Sequence, residues 1–431
     1  MSPSHSWHRV LSRLLFAGIL LSQQQFAHSQ VSFYGAPPPS SYSNNIGGNE
    51  TTPNVDNRSL GDIGLGIFAQ RPFKLSLAVR EGFDSNVFTT KNDPISSFYT
   101  NVSGGIDYSF GSPRLQLGSN LNGGVTYYYN RPGDKIDLNG TFSTRAIYKA
   151  TPRLTLALNT QTAYLAQPDI SIVGSTNRQN GDYLYSNTTF SAAYQWTEIF
   201  STVTAYNFTV FYYVDDTLNQ EQGRIDQTVS QSLRWLILPK TTLIAEYRAN
   251  PVVYFNADLN QFSNFFLVGI DQIFNPRFTW NGRLGAQLNF NQNPVDGSSI
   301  YIGPYMESTL NYQFGPASTV YWNMRYGTEA SGLTNVTQRQ TFRTGVGVNH
   351  AITARLSANL GMNYQCNYYS QSDVIPSFIE NIVDFSAGLR FAINRHAALE
   401  AGYQFTIDIA PNASEREYSR NVVFVGANLN F

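Results

Sequence analysis

The sequence predicts an all-β fold, a transmembrane antiparallel up-and-down β-barrel of about 18 strands with periplasmic termini. Three observations lead to this prediction: long stretches in which apolar and polar residues alternate, turn motifs that recur at a regular spacing, and a final strand that ends in Phe431. Aromatic residues make up 14% of the chain and charged residues only 13%. Asn, Gln, Ser, Thr and Gly are abundant, and this mixture favours extended structure.

The alternation is clearest in the segment ARLSANLGMNYQCNYYS at residues 354–370. Apolar residues from Leu356 to Tyr368 occupy every second position, and Ser, Asn, Gln and Gly fill the positions between them. A period of two indicates a β-strand, and about 14 residues far exceed the usual length of about 5–6. A strand with one apolar and one polar face fits a span between lipid and water. No apolar run in the mature part approaches the roughly 18 residues of a membrane helix.

Short turn motifs recur about every 40 residues along the chain. They are GSPR at 111, TPR at 151, TEI at 197, LPK at 238, NPR at 275, GPAS at 315, ITAR at 352 and NRH at 394. Longer polar stretches such as 166–182 and 291–299 lie between them, so each repeat is a hairpin of two long strands. Pro251 and Pro304 fall inside predicted strands near their outer ends, where a missing N–H is tolerated.

Two other all-β architectures fit this pattern less well. A propeller blade has a similar period, but its four short strands would place a turn about every ten residues. A soluble sandwich also alternates, but its strands are shorter, and about 18 of them would need more than one core. We therefore expect a barrel from Phe73 to Phe431, with the short turns in the periplasm and the longer loops outside.

The tryptophans and the N-terminus support export to a membrane. Each of the tryptophans of the mature part lies close to a short turn, which predicts an aromatic girdle at one interface: Trp196, Trp235, Trp280 and Trp322. Residues 1–29 are predicted to be a signal peptide, because Arg9 and Arg13 precede a short apolar stretch and a small-residue cleavage site. Residues 30–72 are rich in Pro, Gly, Ser and Asn, and are expected to form a periplasmic tail or a plug in the lumen.

Little in the sequence points to catalysis, and no cofactor or metal site is expected. The mature chain has two histidines, His350 and His396, both beside predicted periplasmic turns and without a Ser/Asp constellation nearby. The net charge of −1 argues against nucleic-acid binding. The single cysteine, Cys366, rules out an intramolecular disulfide framework and falls on the apolar face of its strand.

Charged side chains on the polar strand faces are the candidate pore-lining residues. They are Arg145, Lys149, Arg224, Asp226, Arg234, Glu246, Arg248, Arg283, Glu307, Arg325, Arg343, Asp384, Arg390, Glu400 and Asp408. Such residues also solvate a wet interior and pair across strands. The same parity also places Lys74, Arg80, Asp107, Asp137 and Asp271 inside, so the two signs nearly balance, which predicts weak ion selectivity.

Two segments resemble known families. The last strand, NVVFVGANLNF at 421–431, resembles the C-terminal signature of Gram-negative outer-membrane proteins, and the resemblance implies that Phe431 is an assembly signal for the barrel-assembly machinery. The segment REGFDSNVF at 80–88 resembles a motif of the putative β-barrel porin families, some of which are encoded with exopolysaccharide systems. These resemblances imply an outer-membrane barrel but no particular substrate.

We expect a porin-like channel for passive diffusion of small hydrophilic solutes, because about 16–18 strands leave an aqueous channel. The alternative is a barrel component of exopolysaccharide export or surface assembly. The expected partners are outer-membrane lipid, the barrel-assembly machinery and small hydrophilic solutes. A homo-oligomer is compatible with the sequence, which marks no interface among outer faces that look equally apolar.

Overall fold

The computed structural model describes residues 73–166, 181–257, 259–292, 299–333, 336–371 and 376–431. The predicted signal peptide (1–29) and the predicted tail or plug (30–72) lie outside the described residues. Most of the long polar stretch at 166–182 lies outside them as well.

The described chain is built almost entirely from strands. They are β1 (Phe73–Asp84), β2 (Ser97–Gly111), β3 (Leu115–Tyr128), β4 (Ile136–Lys149), β5 (Leu154–Leu165), β6 (Tyr183–Gln195), β7 (Phe200–Tyr213), β8 (Arg224–Leu238), β9 (Thr241–Tyr254), β10 (Gln261–Asn275), β11 (Phe278–Asn291), β12 (Ile300–Gly315), β13 (Ser318–Leu333), β14 (Val336–Ala351), β15 (Leu356–Tyr369), β16 (Phe378–Ala392), β17 (Ala397–Ile409) and β18 (Tyr418–Asn430). A short helix, α1 (Asp216–Gln222), and a 3-10 turn (Ser414–Arg416) lie in two loops. Within the described ranges, no helix has the length and apolar character needed to cross a membrane.

The strands form one closed 18-stranded sheet, as the sequence predicts. Each strand pairs antiparallel with the next along the chain, and β1 pairs with β18 from Ser76 opposite Asn430 to Asp84 opposite Val422. Closure leaves no strand edge to be paired elsewhere. The eight predicted short turns all connect consecutive strands, beginning with the turn between β2 and β3.

The two faces of the sheet differ in polarity. Large apolar side chains stay exposed on one face, for example Leu284 at 62% and Ile302 at 69%, whereas Gln287 on the other face is 1% exposed. Side chains of non-adjacent strands meet on the polar face: Arg248 of β9 lies 2.6 Å from Glu307 of β12. Such contacts require the concave side of a closed sheet. The interior is therefore polar and the outer surface apolar, the arrangement of a barrel in lipid.

The motif at 80–88 holds the seam where β1 meets β18. The Asp84 carboxylate is fully buried, accepts the Arg420 guanidinium at 2.5 Å and accepts the backbone N–H of Asn86 at 3.0 Å. The Asn86 amide in turn donates to the carbonyl of Ser419 at 3.0 Å. The Asp and Asn of the motif thus join the first loop to the last strand, and Val87 packs beside them in a small apolar cluster.

Candidate functional site

The barrel interior is the candidate functional site. The strand register places every predicted pore-lining charge on the interior face of the sheet. This is the face on which Gln287 is buried and on which Arg248 pairs with Glu307. Whether these side chains line a conducting pore is taken up as a proposal below.

A chain of ion pairs begins close to the periplasmic turns of β8, β10 and β11. Asp271 accepts both Arg234 and Arg283, the second at 2.8 Å. Arg283 also lies 3.6 Å from Glu246, and Glu246 accepts Arg248 at 2.5 Å. The five side chains alternate in sign, so each charge is neutralised by the next.

The chain of ion pairs continues at mid-height through Glu307. Arg248 makes a bidentate pair with this carboxylate at 2.6 and 3.0 Å, and the Tyr305 hydroxyl donates to the same group. Arg325 stacks over the Tyr305 ring, with its guanidinium carbon 5.7 Å from the ring centroid. Glu307 is 5% exposed, so its charge depends on these partners rather than on water.

The chain of ion pairs ends at the extracellular rim. Glu329 accepts Arg343 at 2.5 Å and Arg339 at 3.5 Å, and Arg339 donates to the Tyr369 hydroxyl at 3.1 Å. Tyr369 donates to Glu380 at 3.1 Å. Glu380 also accepts Arg416, from the loop between β17 and β18, at 2.8 Å. One wall of the interior, β8 to β16, thus carries a charged track from the periplasmic turns to the outer loops.

The other predicted charges lie outside this track. Arg224 and Asp226 pair at 3.2 Å, and Arg80 of β1 pairs with Glu400 of β17 at 2.6 Å. Of the remaining predicted residues, Arg145 and Lys149 are exposed, and Arg390 lies opposite Glu400 in the register. The Asp384 carboxylate accepts hydrogen bonds from Gln404 and Thr406 at 2.9 Å each. Asp408 is 2% exposed.

Several charged residues of the interior are missing from the prediction. They are Asp84, Glu329, Arg339, Glu380, Arg416 and Arg420. Glu329 and Arg339 are an even number of residues from Arg325 and Arg343 on the same strands, so the alternation of faces could have identified them as interior residues. Arg416 is in a loop, where side chains do not alternate between two faces, so the sequence gives no such signal for it.

The opposite wall, from β3 to β7, is nearly free of charge. Among its described interior positions, only β4 carries charged side chains. The other strands present amides, hydroxyls, small residues and, at the outer ends of β6 and β7, a buried aromatic cluster of Tyr183, Tyr185, Phe211 and Tyr213. Asn187 donates to Thr209 at 2.7 Å, and Asn207 donates to Thr189 at 2.8 Å. The interior is therefore two-sided, with a charged wall facing an amide and hydroxyl wall.

The β13–β14 hairpin narrows the space between these walls. Pairing of β12 with β13 ends at Met306 opposite Tyr326, although β13 continues to Leu333 and stays paired with β14. Above that point the side-chain amide of Gln287, on the interior face of β11, takes the place of β12. It donates to the Thr328 carbonyl at 2.7 Å and accepts the Thr328 N–H at 2.9 Å. We call the described residues 327–333 and 336–341 the inward hairpin.

Pro304 explains why the hairpin leaves the wall. Continuing the register of β12 and β13 would place Thr328 opposite Pro304, and proline has no N–H to donate to the ladder. Gln287 provides both the donor and the acceptor that Thr328 would otherwise lack. A side-chain amide thus substitutes for a strand at this position.

The inward hairpin reaches across the extracellular opening. Val336, near its tip, is fully buried in a cluster with Tyr369, Phe378, Ala410 and Ala413. Asn289 of β11 donates to Gln338 at 3.3 Å, and α1 contacts β13 from the β7–β8 loop. These contacts on three sides fix the hairpin over the interior.

Comparison with known families agrees with this architecture. Residues 299–431, which comprise β12 to β18, match the family model described as putative beta-barrel porin 2. The protein is an 18-stranded outer-membrane β-barrel whose last seven strands are similar to this family. No curated protein matches the chain.

Solved structures that are similar to this barrel include three bacterial proteins. They are OpdK of Pseudomonas aeruginosa with vanillate (9% identity, TM-score 0.44), OccAB3 of Acinetobacter baumannii (11%, 0.41) and a BenF-like porin from Pseudomonas fluorescens (10%, 0.42). Each alignment covers 83% of this chain and 99% of the other chain.

The tryptophans and histidines singled out in the sequence lie near the periplasmic turns. The indoles of Trp196, Trp280 and Trp322 donate to outward hydroxyls at 2.9 Å each, and Trp235 is 39% exposed. His350 contacts Ser318 at 2.8 Å, and His396 contacts the Asn430 carbonyl at 2.9 Å. Among the described residues, no group of three or more His, Cys, Asp or Glu side chains could hold a metal ion.

Proposed function

We propose that this barrel lets small hydrophilic solutes diffuse passively across the outer membrane. The observation that carries the proposal is the closed sheet with an apolar outer surface and an interior of paired charges, amides and hydroxyls. Such an interior is wetted by water and offers hydrogen bonds to a passing solute in place of those it leaves behind. Barrels of about 16–18 strands have room for such a channel.

The inward hairpin is proposed to set the size limit for these solutes. It is anchored by Gln287 and Val336 and lies over the interior, where it reduces the opening between the charged wall and the amide wall. An export channel for exopolysaccharide, the alternative, would have to pass a polymer at this narrow level. The hairpin therefore favours small solutes.

Weak ion selectivity follows from how the interior charges are paired. Arginines are paired with carboxylates along the charged wall, so most of the charge of each sign is compensated by a neighbour. A passing cation or anion meets a nearly neutral field. We expect a reversal potential close to zero in a salt gradient.

Assembly is proposed to use the last strand. Phe431 exchanges two backbone hydrogen bonds with Leu75 of β1, at 2.8 and 3.1 Å, and its side chain is 65% exposed on the outer surface. An exposed terminal aromatic on the closing strand is accessible to the barrel-assembly machinery until β1 and β18 join. Removing Phe431 should reduce the amount of folded barrel in the outer membrane.

The test is a conductance measurement on the mature chain, refolded in detergent and inserted into a planar bilayer. We expect stepwise openings whose size rises in proportion to salt concentration, and swelling of loaded liposomes by small sugars but not by large ones. Chain left unfolded in urea is the control for leakage. A folded, heat-modifiable barrel that conducts no ions would contradict the proposal.

A further inference from the structure

The outer surface carries a polar belt on one wall, at the height of the hydrocarbon. Its members are hydroxyl and amide side chains on the outward face of β5 to β8: Thr160, Thr162, Ser186, Thr188, Thr204 and Gln231. Gln231 and Thr188 lie near the middle of their strands, far from both rims. Lipid tails offer no hydrogen bonds, so polar groups at this height are costly unless they are partnered.

The belt satisfies its hydrogen bonds only in part. Thr162 pairs with Ser186 at 3.0 Å, Thr188 donates to Thr160 at 3.3 Å, and Thr204 donates to the Gln231 carbonyl oxygen at 2.6 Å. The amide nitrogen of Gln231 then has no acceptor among the described residues. The hydroxyl of Thr144, which lies opposite Thr160 on β4, also lacks a partner within the described part of the chain.

Other polar side chains on the outer surface are paired differently. Ser308 and Thr344 each accept an indole N–H from the tryptophan girdle, and the Asn381 amide accepts the Tyr364 hydroxyl near the extracellular rim. Large aromatic rings thus cover these groups or hold them at the level of the headgroups. No aromatic hydrogen bond reaches the six members of the belt within the described residues.

We infer that the polar belt is the surface on which a second copy of this chain packs, and that the barrel is a homo-oligomer in the membrane. The belt is uncharged, and each hydroxyl both donates and accepts, so the surface is complementary to itself under a two-fold axis. Packing two belts together would give the Gln231 amide an acceptor that lipid cannot provide. Small side chains and Gly140 on the same wall allow close approach.

The natural cysteine provides a matched control for this surface. Cys366 projects from the outward face of β15, on the side of the barrel opposite β6, among exposed apolar residues such as Leu360 and Met362. In a Cys366→Ser background, Thr188→Cys would place a thiol on the belt instead. We would treat outer membranes from cells expressing each full chain with a short bismaleimide.

The expected result is a cross-linked dimer from Thr188→Cys and only monomer from the chain with Cys366. Equal cross-linking at both positions would indicate random collision and overturn the inference. Cross-linking to a different protein would also overturn it, because the partner would not be a second copy.

The mass of the assembled barrel gives a second, independent measurement. Native mass spectrometry of the unmodified chain from lipid nanodiscs should show at least two copies. The double variant Thr204→Val, Gln231→Leu should shift at least half of the population to one copy, whereas Thr344→Val on β14 should leave the mass unchanged. A folded wild-type chain found as one copy in lipid would refute the inference.

Discussion

Replacing Gln287 by leucine should release the inward hairpin. The Gln287 amide is 1% exposed and makes both a donor and an acceptor hydrogen bond to the backbone of Thr328. Leucine has a similar volume but can make neither bond, and Pro304 on the adjacent strand cannot replace the missing donor. The Thr328 N–H and carbonyl would then be unpaired unless water entered or the hairpin moved.

The size of the effect follows from these two hydrogen bonds. Each bond contributes about 1 kcal/mol net. Losing one costs as much as about 3 kcal/mol when the remaining polar group stays buried and unpaired. Water in the interior limits the penalty, so the anchored state should lose about 2–4 kcal/mol relative to a released one. At about 1.4 kcal/mol per factor of ten, the ratio of anchored to released hairpin should fall by about 30- to 700-fold.

Single-channel recording in a planar bilayer measures this change directly. We expect Gln287→Leu to show a larger conductance or frequent transitions to a larger substate, and to admit larger polyethylene glycols. Gln161→Leu is the matched control, since Gln161 lies on the interior face of β5, far along the sheet from the hairpin. If the two variants have the same conductance distribution as the wild type, Gln287 does not hold the constriction.

Three further predictions concern the seam, the outer loops and the N-terminus. Arg420→Met leaves Asp84 buried without its cation and should cost about 3–5 kcal/mol, seen as a lower urea midpoint, whereas Arg277→Met in an exposed turn should change nothing. Lys91 lowers the pKa of Glu417 by hydrogen bonding, so this link between two outer loops should be lost as pH falls through that lowered pKa. Protease cleavage of the two loops should therefore rise at acid pH in the wild type. In Glu417→Gln, cleavage should not depend on pH. Deleting residues 31–70 should raise conductance if they form a plug, and an unchanged value would favour a tail.

Most of the architecture can be predicted from the sequence because strand faces and turns depend on residues that are close together along the chain. A period of two fixes which residues share a face, and short turns with Pro, Asn or Gly fix where each strand reverses. The 354–370 segment illustrates this, since the structure has a strand from Leu356 to Tyr369 with Met362 outward and Asn363 inward. Parity alone placed every candidate charge on the interior face.

The pairing of those charges could not be read in the same way. Arg248 binds Glu307 across two intervening strands, and this contact depends on the curvature of the closed sheet rather than on spacing in the sequence. Glu329 is different, because its three arginines lie on β13 and β14 themselves and Arg339 is its direct partner in the register. Contacts within one hairpin follow from its register, whereas contacts across the interior depend on the curvature of the sheet, and alternation does not encode that.

Pro304 links the local sequence pattern to the contacts in the barrel interior. Pro304 reads in the sequence as a tolerated interruption near the end of a strand, and it does lie inside β12. Its missing N–H ends the ladder with β13 at the position where Thr328 would pair, and only a side chain from the next strand but one, Gln287, satisfies Thr328 instead. A donor missing from the wall is thus accompanied by a hairpin in the opening, and we expect this backbone constraint and the Gln287 amide to set the size limit of the proposed channel.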